Sequence, residues 1–128
     1  MAKRIGLHEN RTRVMFHLPL NDTKEEKAAN KVVQYLQSQK QEDGGVKGFT
    51  HSVFRQTVFR GWWWSQATEQ WCQDQIVLFM VDLKIDFADQ RLSAQIRELK
   101  KTIRHWYRYF GKPQEEIWVV AHPITRFD

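Results

Sequence analysis

With 128 residues, 20 Lys and Arg against 15 Asp and Glu, and 41% apolar content, the chain has the makings of a globular domain whose core needs no disulfide staples. Its one cysteine, Cys72, excludes an internal disulfide and any metal site built from several thiolates, and fits a reducing compartment. No stretch approaches the roughly 18 apolar residues that span a bilayer, and the N-terminus lacks a signal-peptide core, so the expectation is one cytoplasmic domain over 1–128 with no membrane contact.

Residues 1–12 are polar and basic without periodicity, and read as a loose N-terminal arm. Arg13 to Leu20 alternates. Val14, Phe16, Leu18 and Leu20 face one way and Met15 and His17 the other, which predicts a strand ending near Pro19. Asn21–Glu26 offers a helix start in two registers, Thr23 with Glu26 or Asp22 with Glu25. Ala28, Ala29, Val32, Val33 and Leu36 then follow at helical spacing, and Gly44-Gly45 closes the segment. Phe49 to Trp64 has strand composition. Val53-Phe54-Arg55 recurs five residues later as Val58-Phe59-Arg60, an odd offset that predicts a bulge or bend near Gln56-Thr57. Ser65 to Asp74 is polar enough to be a long hairpin connection, with Trp71 tethering it.

Gln75 to Ile85 is almost unbroken apolar sequence, the mark of a strand covered on both faces. Val77, Phe79, Val81, Leu83 and Ile85 make one continuous greasy face. On the other, Ile76, Leu78 and Met80 give way to Asp82 and Lys84. A second helix, capped by Asp86 or Asp89, carries Leu92, Ile96, Leu99, Ile103, Trp106 and Phe110 as an apolar stripe and ends at Gly111 and Pro113. Ile117 to Ala121 is the last strand, closed by His122-Pro123. The order strand, helix, strand, strand, helix, strand predicts an α+β, ferredoxin-like βαββαβ sandwich: four antiparallel strands, first and third central, with two helices on one face.

That architecture leaves one sheet face open, with Met15, His17, Ile76, Leu78 and Met80 on it and Trp118 and Val120 joining from the last strand. Apolar surface of this extent calls for a cover. The expected cover is a second copy of the chain, a homodimer assisted by the tryptophan-rich arm. Within it, a small apolar or aromatic ligand would sit among Met15, His17, Leu78, Met80 and Asp82, closed by Trp62, Trp63, Trp64 or Trp118.

A second surface competes with it. Residues 91–112 hold seven Lys and Arg against Glu98 alone. At about 100° per residue, Arg97, Lys101, Arg104 and Arg108 share one helix face flanked by Lys100, a pattern that suits nucleic-acid phosphates as well as a solvated surface. No catalytic motif, phosphate-cradling loop, cofactor signature or close metal-ligand pair is present. His17 with Asp82 is the single polar couple that an oxygenase- or isomerase-type enzyme of this fold class would have to use.

Overall fold

The computed structural model describes residues 8–39, 44–52, 54 and 59–127. Seven elements follow in order: β1 (His8–Pro19), α1 (Thr23–Gln37), β2 (Val46–His51), β3 (Phe59–Ser65), β4 (Gln70–Leu83), α2 (Leu92–Tyr109) and β5 (Val119–Phe127). All pairings are antiparallel, in the order β2-β4-β1-β5, with β3 also on β4. This is the strand order of the expected sandwich, with β1 and β4 central. The count differs: the expected second strand, Phe49–Trp64, is two strands, so the sheet has five. β2 pairs with the C-terminal part of β4 and β3 with its N-terminal part. The bend expected near Gln56-Thr57 lies outside the described residues. An earlier register shift falls between Val46 and Gly48.

Three further boundaries move. The supposed arm is already strand from His8, paired with β5, because Thr12 is fully buried and its hydroxyl donates to the Ile85 carbonyl at 2.9 Å. The final strand does not stop at Ala121 but runs through Pro123 to Phe127; β5 is an edge strand, where a missing N–H can face outward without breaking a ladder. The long hairpin connection is also shorter than expected. Ser65 pairs with Gln70, leaving a four-residue turn, Gln66–Glu69, with Glu69 at φ 51°.

Both helices lie on one face of the sheet. Ala28, Ala29, Val32 and Leu36 of α1, and Leu92, Leu99, Ile103 and Tyr107 of α2, bury against Val14, Phe16, Leu18, Val77, Phe79 and Val81. The rings of Phe16 and Phe79 stack across the two central strands at 4.9 Å. The helix start takes the second of its two registers: Asp22 caps α1 by accepting from the Glu25 amide at 2.9 Å, while Glu25 accepts from the Asn21 amide at 2.7 Å. The cap expected for α2 is not there. Its N-cap is Arg91, without a side-chain bond, and Asp86 and Asp89 instead hold the preceding turns through the Ala88 and Arg91 amides. The expected α2 stripe forms, with Leu92, Leu99 and Ile103 buried and Ile96, Trp106 and Phe110 packed against the core, and Tyr107 joins it. Tyr107 is wholly buried, whereas Trp106 stays at the rim beneath the Lys31 ammonium, 5.0 Å from its centroid.

The Tyr107 hydroxyl donates to the Pro19 carbonyl at 2.8 Å, so α2 holds the end of β1. Tyr107→Phe leaves that carbonyl without this donor, and a loss of roughly 1–3 kcal/mol is expected in urea unfolding. Glu25 adds a pH signature. Burial, the largest influence, raises its carboxyl above the usual range, so the folded chain holds that proton more tightly than the unfolded chain. Its contribution to stability is full below the ordinary glutamate range and is lost as pH rises through the raised value. Stability curves of Glu25→Gln should lack this fall; parallel curves for the two proteins would refute it.

Candidate functional site

The hairpin of β3 and β4 outruns the helices. Along one face of β4, Val77, Phe79 and Val81 are buried, while Trp71, Gln73 and Gln75, at the same phase, are exposed. Alternation then splits the aromatic cluster. Trp62, Trp64 and Trp71 take one side of the arm and Trp63 the other, in phase with Cys72 and Asp74. Trp64 and Trp71 pair directly across the strands and meet edge to face at 5.8 Å and 78°.

A short polar chain fixes this arm to the sheet. The Asn21 side chain accepts from the Gln75 amide at 2.8 Å and donates to Asp74 Oδ1 at 2.9 Å. Asp74 Oδ2 in turn accepts from Trp63 Nε1 at 2.8 Å. The Leu20 amide donates to the Gln75 carbonyl at 2.7 Å, continuing the β1–β4 ladder one step further. At the tip, the Ala67 amide lies 3.4 Å from Glu115 Oε1 in the segment leading to β5, and Trp118 Nε1 donates to Glu116 at 2.9 Å.

Between arm, sheet end and that segment lies a groove of about 470 Å3. Its lining includes His17, Trp62, Trp63, Trp64, Trp71 and Trp118, together with half-buried Asp74 and the exposed Glu115 and Glu116. The groove is displaced from the expected one. His17, Trp62, Trp63, Trp64 and Trp118 line it, but Met15, Leu78, Met80 and Asp82 do not; they lie further along the open face, where Met15 opposes Met80 and Val120, and His17 opposes Leu78. Trp71 and Asp74, assigned to a connection in the sequence, belong to the site because the strand reaches back to Gln70.

Asp82 is not near His17. It faces Arg13, which binds it through two nitrogens at 2.7 and 3.0 Å, and the register sets the His17 position four residues away, roughly 13 Å along the strand. The expected acid–base couple is therefore not assembled. The cationic helix face does form: Arg97, Lys100, Lys101, Arg104 and Arg108 line one shallow surface with His105. None of these five is ion-paired with a described residue. Among the described residues no three His, Cys, Asp or Glu side chains gather as a metal ion would need, and no helix is long and apolar enough to cross a membrane.

Neither a family model nor a curated protein matches the chain. Among solved structures, a Bacillus cereus protein related to NIF3 aligns with a TM-score of 0.53 and 14% identity over 94% of this chain. The chain spans only 27% of that protein's length. A phage SAM lyase in complex with S-methyl-5'-thioadenosine aligns with a TM-score of 0.51 and 12% identity, covering 100% of this chain and 96% of its own. The Bacillus subtilis GlnK–ATP complex is a weaker likeness, with a TM-score of 0.44 and 11% identity over 90% of this chain and 82% of that one. At these identities the first two define a shared α+β fold.

The Asn21 bridge is directly testable. Asn21→Ala should speed amide hydrogen exchange at Gln75 and through Trp62–Ser65, while exchange in the Phe79–Val81 core strand stays near wild type. Unchanged exchange in the arm would mean that the bridge does not hold it.

Proposed function

We propose that the protein binds a flat, largely apolar small molecule in the tryptophan groove and acts through binding rather than catalysis. The observation that carries this reading is a groove of about 470 Å3, within the range of small-molecule pockets, whose lining includes five tryptophans: Trp63 from one side of the arm, Trp62, Trp64 and Trp71 from the other, and Trp118. Four of them, Trp62, Trp64, Trp71 and Trp118, are each at least 45% exposed. Indoles exposed in such number are accounted for by something that stacks on them. The phage lyase of this fold was solved with a nucleoside thioether, a ligand with a flat heteroaromatic part, which accords with this reading. Isothermal titration with naphthalene- and quinoline-sized compounds tests it. Micromolar to millimolar binding in the wild type, weakened about tenfold or more by Trp118→Ala or Trp64→Ala, is expected from the loss of one stacking wall. Equal binding by the variants would refute it.

The rest of the open face carries the second part of the proposal, a homodimer. Met15, Leu78 and Val120 form an exposed apolar patch, and the charged pair beside it, Arg13 with Asp82, is internally neutralised. A face with those properties suits a copy of itself. Light scattering should give a dimer at tens of micromolar, and Leu78→Asp should yield a folded monomer by buried charge alone. A wild-type monomer at that concentration refutes the dimer and leaves the groove untouched.

The cationic face of α2 supports a second reading, nucleic-acid binding, through its five cations, none of them ion-paired with a described residue. If correct, purified protein retains short oligonucleotides at low salt, releases them as salt rises, and loses that binding in Arg104→Glu/Arg108→Glu. No low-salt binding would dismiss it.

A further inference from the structure

The charged residues lining the groove are all of one sign. Asp74, Glu115 and Glu116 line it, and no Lys or Arg does, in a chain of formal net charge +5. The nearest lysine in sequence to Glu115 and Glu116, Lys112, is held elsewhere by Asp22 at 2.6 Å. Two of the carboxylates are held by neighbouring donors: Asp74 by Trp63 and Asn21, and Glu116 by Trp118. An ionised carboxylate has about four acceptor positions, so these bonds leave each acid able to accept more. The indole faces beside them carry the negative end of the aromatic quadrupole. At Trp64 and Trp71 two such rings stand nearly perpendicular and make a corner rather than a single flat wall.

An anionic or phosphate-bearing ligand would meet three carboxylates with no counter-cation on the wall. A neutral aromatic would gain stacking and nothing from the acids. From this lining we infer that the groove's ligand is an organic cation: an aryl or heteroaryl group bearing a fixed positive charge or a protonated amine, with its ring on the tryptophans and its charge toward Glu115, Glu116 and Asp74. The inference rests on the reading of the groove as a ligand site and specifies the class of ligand. The local field draws such a cation in although the protein as a whole repels it, because at physiological salt only charges within about 8 Å act strongly on the site.

Three probes of similar outline separate charge from shape: 1-methylquinolinium, 1-methylnaphthalene and 1-naphthoate, each titrated calorimetrically into the full chain. The cation should bind at least about tenfold more tightly than the neutral hydrocarbon, with the anion weakest. Glu115→Gln/Glu116→Gln keeps side-chain size and should narrow the cation's advantage to about threefold or less, leaving 1-methylnaphthalene unchanged. Raising the salt should narrow it in the wild type as well. Equal or tighter binding of the neutral probe overturns the cation assignment and leaves the groove a neutral-ligand site. An unaltered preference in the Gln variant also overturns it. Failure of all three probes to bind overturns this inference and the ligand-site reading together.

Discussion

The length of β4 is the constraint on which the remaining arrangement depends. Its 14 residues extend roughly 45 Å at strand rise, and the two helices cover only the part from Val77 onward. One strand therefore does two jobs. Its C-terminal half is the spine of the core, clasped by β1 on one edge and β2 on the other. Its N-terminal half leaves the core, takes β3 as a partner, and presents aromatic side chains where no helix covers them. A hairpin standing alone in water is marginal at best. This one persists as the continuation of a buried strand and is held at its base by Asn21 and at its tip by the segment before β5.

The junction concentrates polar groups in a small volume. Tyr107 reaches the Pro19 carbonyl from α2, Glu25 reaches the Asn21 amide from α1, and the Asn21 side chain crosses to Gln75 and Asp74 on β4. The loop that starts α1 thus also fixes the base of the arm. Burial, with the nearby acids Glu25, Asp74 and Asp22 adding to it, holds the Tyr107 phenol well above its usual pKa, so it stays a neutral donor. A network of this kind couples helix packing to groove shape. From α1, three hydrogen bonds, Glu25 to Asn21, Asn21 to Asp74 and Asp74 to Trp63, join the helix start to the groove.

The core was written plainly in the sequence because burial imposes strict periods. Val77, Phe79, Val81 and Leu83 on the strand, and Ala28, Ala29, Val32 and Leu36 on the helix, all point where their spacing says. Strand ends were less legible. Gln73 and Gln75 are polar because that stretch is exposed on the face that is buried further along, and polarity alone reads as loop. Tyr107 stands outside the apolar spacing of α2 yet is buried more deeply than Trp106, its hydroxyl satisfied by the Pro19 carbonyl, a partner far away in sequence. The groove residues Trp62–Trp64, Trp118 and His17 were visible as an unusual set. That Trp71 and Asp74 join them, and that Asp82 is engaged by Arg13, depended on register, which no local pattern specifies.

The distribution of indoles gives the molecule an optical character of its own. Of six tryptophans, five line the groove and only Trp106 lies elsewhere, on α2 beneath Lys31. Near-ultraviolet absorption and emission by this protein are therefore overwhelmingly those of one site. The edge-to-face Trp64–Trp71 pair lies close enough for its transitions to couple as an exciton, giving circular dichroism that reports the relative orientation of the two rings. Spectra of the native chain thus record the geometry of the groove rather than an average over the fold.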